Sequence, residues 1–207
     1  MKKLPIGISD FRKVIEGNNY FVDKSMFIYE LINSNAEVSL IPRPRRFGKT
    51  LNISMLQYFF EVGEDNGYLF KDLAISKTEE FKTHLNKYPV IFLSFKDIKN
   101  SSFEKSFKNI KKLISKEYKK HYNQISTLNL QEREKNIIEN IINLNGSLVG
   151  YENSLKLLSE LLYKRYNQRL IILIDEYDTP MLNSYLYGYY NKTERIYGKF
   201  FRWSFEG

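Results

Sequence analysis

One short basic segment, residues 43–50, most constrains what this chain can fold into. It reads Arg-Pro-Arg-Arg-Phe-Gly-Lys-Thr, follows an apolar run at residues 38–41, and precedes apolar residues at helical spacing from Leu51. The order predicted is therefore a strand, a tight loop and a helix, which is typical of a loop that wraps phosphate groups at a helix N-terminus. Gly48 would let the main chain approach a phosphate, Lys49 would reach the β and γ phosphates, and the Thr50 hydroxyl would bind Mg²⁺.

The segment departs from the usual pattern Gly-x-x-x-x-Gly-Lys-Thr in two ways. Arg43 replaces the first glycine, and Pro44 has no N–H to donate to a phosphate. A basic loop that only caps a helix is the alternative interpretation. Arg45 and Arg46 either contact phosphate or form the exposed tip of that loop.

A second pattern lies at residues 170–174, which read Leu-Ile-Ile-Leu-Ile and form the most apolar five-residue run of the chain. Such a run predicts a central parallel strand that is buried on both faces. Asp175 and Glu176 follow it directly. In P-loop NTPases an aspartate at a strand end holds Mg²⁺ and an adjacent glutamate activates water. Alternatively, Asp175 caps a turn and Glu176 is solvated.

The rest of the chain predicts an α/β fold of the P-loop NTPase type, a three-layer sandwich with a parallel central sheet. A strand at residues 90–95 is expected at or near one edge, so that the strand ending at Asp175 lies beside the strand before Lys49. Thr50 and Asp175 would then meet at one metal ion. Four helical stretches complete the prediction: two short helices within residues 8–34, a helix near 79–85, a helical insert over 101–166 with breaks near 128–130 and 145–146, and a last helix from about residue 192. The first short helix is expected to be capped by Asp10 and to end at Gly17, and the second is expected to start after Asp23.

Composition excludes some chemistry and favours one class of partner. The 207 residues include no cysteine, so disulfides, thiolate metal sites and thiol catalysis are excluded. The net charge of +8 favours polyanions such as nucleotides or nucleic acid, although lysines along the predicted helices also fit a solvated face. No apolar run approaches the roughly 20 residues of a membrane span, so a cytoplasmic protein without membrane contact is expected.

Four segments together resemble the AAA-ATPase-like family of bacterial and archaeal proteins, which is related to the P-loop NTPases with an additional catalytic strand. They are residues 4–11, 20–25, 43–50 and 175–180. The resemblance spans nearly the whole chain, and the arginine-rich loop without its first glycine looks like the family's own version.

The resemblance implies ATP and Mg²⁺ as cofactors and assigns roles to individual residues. Lys49 would bind the ATP phosphates and act in catalysis, Thr50 and Asp175 would hold magnesium, and Glu176 would activate water. Phe21, with Tyr20, would either stack on adenine or pack in the core. The remaining residues expected at the nucleotide are Arg45, Arg46, Phe47, Gly48 and Leu51.

The implied function is Mg-dependent ATP hydrolysis that drives a conformational change in an attached or partner domain. The alternatives are a non-hydrolysing nucleotide-binding module and a nucleic-acid-interaction module. Residues 1–207 are expected to form a single domain that is incomplete at its C-terminus, because a strand sensing the γ-phosphate would come next. The resemblance also implies that many family members carry a C-terminal PD-(D/E)XK nuclease-like domain, and residues 1–207 are not expected to include it. A homo-oligomer, in which a neighbour supplies an arginine, is a further expectation.

Overall fold

The structure is a computed structural model that describes residues 2–34, 36–42 and 47–202. Over these residues the chain is a helix-rich α/β protein with a small parallel sheet of two strands. The strands are β1 (Val90–Ser94) and β2 (Ile171–Asp175). The α-helices are α1 (Phe11–Glu16), α2 (Met26–Asn33), α3 (Lys49–Phe60), α4 (Glu79–His84), α5 (Phe103–Ile125), α6 (Glu132–Ile142), α7 (Leu148–Glu152), α8 (Ser154–Tyr166), α9 (Thr179–Leu186) and α10 (Tyr190–Arg202).

The chain divides into two compact units, Met1–Val90 and Ile91–Gly207. The first unit carries the glycine-lysine-threonine turn, and the second carries Asp175 and Glu176. The single P-loop domain over residues 1–207 stays a prediction.

The start of the first unit confirms two predicted helices and their boundaries. The Asp10 carboxylate accepts a hydrogen bond from the N–H of Lys13 at 2.9 Å, which caps α1, and Gly17 ends that helix. Helix α2 begins at Met26, shortly after Asp23 as predicted. The predicted helix near residues 79–85 is also confirmed, as α4.

Aromatic side chains form much of the core of the first unit. Phe11, Phe59 and Phe70 are fully buried, and the Phe70 ring lies 5.0 Å from Phe11 and 5.4 Å from Phe59 between centroids. The hydroxyl of Ser54 on α3 accepts a hydrogen bond from the N–H of Phe11 at 3.0 Å. These contacts hold α3 against α1, and so they fix the helix whose N-terminus carries Lys49.

The prediction of a strand at residues 38–41 is wrong. Residues 36–42, which the structure describes, contain no strand, and Val38 and Leu40 are 51% and 65% exposed. A short apolar run becomes a strand only when a neighbouring strand takes its hydrogen bonds, and sequence propensity does not supply that neighbour.

The second unit contains β2 and all of β1 after Val90, and both strands were predicted. Within the described residues β2 pairs with β1 alone, so the prediction of a central strand beside one preceding Lys49 is wrong. The run is apolar for another reason: Leu170, Ile172 and Ile174 are partly buried against the hydrophobic core of this unit. Burial against helices gives the same continuous apolar pattern as burial within a wide sheet.

Helices supply most of the core of the second unit. On α5 the fully or nearly fully buried Ile110, Ile114 and Tyr118 recur every four residues, and they belong to one cluster with Leu158 and Leu162 of α8. The helices predicted over residues 101–166 are confirmed, with breaks at 126–131 and 143–147 near the predicted ones. Their status as an insert within a P-loop domain stays a prediction. Within the described part of the chain, no helix combines the length and the apolar composition needed to cross a membrane.

Candidate functional site

The turn before α3 is built around Gly48. This residue has φ 74° and ψ 23°, the left-handed conformation, and it is the residue that precedes the first turn of α3. Residues with a side chain rarely adopt that conformation, and glycine adopts it freely. Among the described residues other than its chain neighbours, no heavy atom lies within 4 Å of a Cβ placed at this position, so the positive φ is the reason for glycine here. The space over the backbone at Gly48 suits the close approach of a ligand.

The residues after Gly48 form the first turn of α3. Lys49, Thr50 and Leu51 are half-buried, and the N–H of Asn52 donates to the Gly48 carbonyl at 2.9 Å. As a glycine, the N-cap residue offers no side chain to cap these positions. The N–H groups and the positive dipole end of a helix favour an anion here, and a lysine lies at the same end. The local arrangement therefore fits a phosphate group.

The other residues predicted at the nucleotide have varied environments. Phe47 is 57% exposed. Phe21 is half-buried, with its ring in edge contact with Phe11 at 5.4 Å between centroids, whereas Tyr20 is 53% exposed. Arg45 and Arg46 lie outside the described residues. The edge contact of Phe21 matches the core-packing alternative, and its adenine role stays a prediction.

Asp23, three residues before α2, has a structural role that the sequence reasoning missed. Its carboxylate accepts hydrogen bonds from the N–H of Ser25 at 2.8 Å and from that of Ala74 at 2.7 Å. The Ser25 hydroxyl accepts a third, from the N–H of Ile75 at 3.1 Å. Partial burial opposes ionisation, but the bonds from Ser25 and Ala74 outweigh it and lower the pKa of Asp23. These contacts tie the segment before α2 to the short 3-10 helix Ala74–Lys77.

Asp175 is the last residue of β2 and is nearly fully buried, with 1% of its surface exposed. Its backbone carbonyl accepts a hydrogen bond from the N–H of Phe95 at 3.0 Å, one residue beyond the end of β1. The strand end is therefore fixed by its neighbour. A carboxylate oxygen is the kind of ligand that Mg²⁺ prefers, and protein sites for this ion often use one carboxylate together with phosphate oxygens.

Glu176 follows with an unusual backbone. Its φ is 51°, a left-handed value that is uncommon for a residue with a side chain. Its carboxylate accepts a hydrogen bond from the Thr179 hydroxyl at 3.2 Å, and its backbone carbonyl accepts one from the Thr179 N–H at 3.1 Å. Strain of this kind concentrates at functional sites. The sequence pointed to the carboxylate but carried no signal for the strained backbone.

Of the predicted site residues, the structure brings Phe47 to Leu51 together in the first unit and Asp175 with Glu176 in the second. Among the described residues, no three His, Asp or Glu side chains group together as a metal site. The predicted magnesium ligands, Thr50 and Asp175, are a hydroxyl and a carboxylate. Both are oxygen donors and fit the ion chemically.

The chain is similar to a curated bacterial protein and to the members of one protein family. A curated protein of Azotobacter chroococcum mcd 1, "Uncharacterized protein in vnfD 5'region", is 29% identical to this chain over 187 residues. The alignment covers 88% of this chain and 30% of that protein, so the chain spans about a third of the relative's length. No solved structure matches. The profile of the family described as Predicted AAA-ATPase matches residues 5–205, and the chain therefore belongs to the AAA-ATPase-like family.

Proposed function

We propose that this chain binds Mg-ATP through the turn at Gly48 and the first turn of α3, and that it hydrolyses the nucleotide. One observation carries the proposal: a glycine in the left-handed conformation directly precedes a helix whose first two residues are Lys49 and Thr50. That order combines an open backbone, a helix N-terminus, a cation and a hydroxyl at one place. Membership of a family of predicted ATPases supports the same ligand.

Each residue of the turn contributes a different interaction. Lys49 neutralises charge on the β and γ phosphates, and the N–H groups of the first turn bind phosphate oxygens. Arg45 and Arg46 add charge on the N-terminal side of the turn. Phe47 and Leu51 flank the phosphate-binding residues, and Phe21 is the proposed neighbour of adenine.

Asp175 and Glu176 complete the proposed chemistry. We assign Asp175, with Thr50, to magnesium, and this assignment rests on the order of the motifs along the chain and on the family. When bound, magnesium neutralises phosphate charge in the transition state. Glu176 accepts a proton from the attacking water, and its bond from Thr179 holds the carboxylate in place for that task. In a longer protein, hydrolysis would drive a conformational change in an attached or partner domain.

Isothermal titration calorimetry with Mg-ATP and Mg-ADP tests the binding step. Lys49→Ala should weaken Mg-ATP binding about tenfold or more, because a charge-assisted contact to phosphate is lost. Lys77→Ala is the matched control: it removes another lysine of the first unit, exposed at the end of a 3-10 helix, and should leave affinity unchanged. Equal Mg-ATP affinity of the wild type and Lys49→Ala would show that this turn does not bind the nucleotide.

A further inference from the structure

The N-terminal half of α5 borders a surface groove of about 490 Å³ in the second unit. Two phenylalanines one helical turn apart, Phe103 and Phe107, line it with nearly parallel rings, 5.9 Å between centroids and 5° between planes. Both are half-buried, so part of each side chain remains accessible. Aromatic surface that faces a groove offers a place for another flat ring to stack.

Lysines surround these rings. The Lys192 ammonium lies 5.6 Å from the centroid of Phe103, and the Lys111 ammonium lies 5.7 Å from that of Phe107. Lys111 is held in place, since it also donates a hydrogen bond to the Leu144 carbonyl at 3.0 Å. Lys108 is the third lysine of the lining, against one acidic residue, Glu104. The groove is therefore lined by two aromatic rings and by more positive than negative side chains.

Helix α5 carries further lysines beyond the groove, so its basic surface is longer than one small ligand. A row of exposed lysines recurs every three or four residues along α5 and so lies on one face, which is turned away from Phe103 and Phe107 and meets the groove at Lys108. The row comprises Lys105, Lys108, Lys112, Lys116 and Lys119. The row spans about 21 Å at the rise of an α-helix. Near its far end a second groove, of about 340 Å³, contains Lys119 and Tyr122, and Tyr122 is 42% exposed. Aromatic groups next to lysines therefore occur at both ends of the row.

From this arrangement we infer that α5 binds single-stranded nucleic acid, with bases stacking on Phe103 and Phe107 and phosphates meeting the lysines. Charge complementarity selects a polyanion, and the length of the row selects a chain of several nucleotides. The rings select single strands, because the base faces of a duplex are already stacked on one another and its grooves expose only base edges. The inference goes beyond the proposed ATP site, and none of its residues belongs to that site.

Fluorescence anisotropy of a labelled oligo(dT) of about 20 nucleotides, compared with a duplex of the same length, tests the inference. The wild type should bind the single strand about tenfold more tightly than the duplex. The Phe103→Leu/Phe107→Leu variant keeps apolar volume but removes the rings. It should lose about tenfold in single-strand affinity with the salt dependence unchanged.

Two lysine pairs complete the test in salt titrations between about 50 and 200 mM. Lys108→Ala/Lys192→Ala should weaken binding and lower the slope of log affinity against log salt by about 1.4, since two phosphate contacts are lost. The control, Lys135→Ala/Lys156→Ala, removes the same charge from exposed positions on α6 and α8 and should change neither quantity. Lys49→Ala should bind the oligonucleotide normally, which separates this inference from the ATP site.

Three results would overturn the inference: no binding of the oligonucleotide, equal binding of single strand and duplex, or equal losses from the two lysine pairs. Displacement of the oligonucleotide by an acidic phosphopeptide of equal charge, at equal concentration, would also overturn it. That outcome would identify the surface as a general site for polyanions.

Discussion

Two turns of this molecule place a left-handed residue beside the proposed chemistry, and they do so with different amino acids. In the first unit the residue is Gly48, with φ 74°, and in the second it is Glu176, with φ 51°. Glycine adopts this conformation freely, whereas a residue with a Cβ pays about 1–2 kcal/mol. The difference indicates that the first turn requires an accessible backbone, whereas the second turn keeps the glutamate side chain although the left-handed backbone conformation is unfavourable for it.

The largest expected effect is a loss of turnover, and it comes from changing only the side chain at the second turn. Glu176→Gln keeps the shape and an oxygen that accepts the Thr179 hydroxyl, but it cannot take a proton from water. We expect turnover to fall about 100-fold or more, with Mg-ATP affinity retained and stability within about 0.5 kcal/mol. Phosphate-release assays and calorimetry measure these quantities. Unchanged turnover would remove Glu176 from catalysis, and a wild type that binds but never turns over would favour the non-hydrolysing module.

The next largest effect is on the free energy of unfolding, and it tests the backbone conformation at the first turn. Gly48→Ala should lower the free energy of unfolding by about 1–2 kcal/mol, because alanine is strained at φ 74°. The matched control is Gly198→Ala, within α10, where the added Cβ has no atom within 4 Å among the described residues outside the neighbouring backbone of its own helix. It should raise the free energy of unfolding by about 0.5–1 kcal/mol. Urea denaturation compares the two, and changes of the same sign would show that backbone conformation is not the cause at Gly48.

A third change places at the second turn the residue type that the first turn uses, glycine. Glu176→Gly should relieve the strained backbone and raise the free energy of unfolding by up to about 1 kcal/mol, while turnover falls as in Glu176→Gln. Asn167→Gly is the control, since Asn167 ends α8 at φ 46° and asparagine tolerates this conformation better than glutamate. Its gain should be smaller. A loss of stability in Glu176→Gly would mean that the side-chain bond to Thr179 outweighs the strain.

The smallest effect concerns how the first unit anchors its loops. Because its hydrogen bonds give Asp23 a folded pKa below the ordinary value of 3.8, the stabilisation it provides is fully present above that value. It is lost as pH falls through the lower folded pKa. Asp23→Asn should therefore flatten the fall in urea midpoint as the pH drops below about 4, whereas Asp72→Asn, an exposed aspartate of the same unit, should not. Identical pH profiles for wild type and Asp23→Asn would show that the carboxylate contributes nothing.

Sequence reasoning succeeded where the signal is local. The caps of α1, the helix after Gly48 and the two strands all follow from nearby residue types, and the structure confirms them. It failed where a partner decides the outcome, as for the strand at residues 38–41. It also missed α9, since no helix was predicted between the strand at residues 170–174 and the last helix from about residue 192. Yet Pro180 lies in the first turn of α9, where proline fits a helix well.

The candidate site shows the same division. The order of Gly48, Lys49 and Thr50 before a helix could be predicted, because each residue type has a specific use at a phosphate. The left-handed backbone of Glu176 could not, since glutamate has no preference for it and the surrounding contacts impose it. The anchoring role of Asp23 was equally hidden, because its partner Ala74 lies 51 residues away in sequence.

The bond from the Phe95 N–H to the Asp175 carbonyl provides a reporter in the unmodified protein. An amide proton in such a bond exchanges with solvent deuterium only when the strand ends separate, so its protection measures how firmly the carboxylate-bearing end is held. Mass spectrometry of the peptide containing Phe95, recorded with and without nucleotide, would show without any substitution whether the proposed ligand changes the protection of that end.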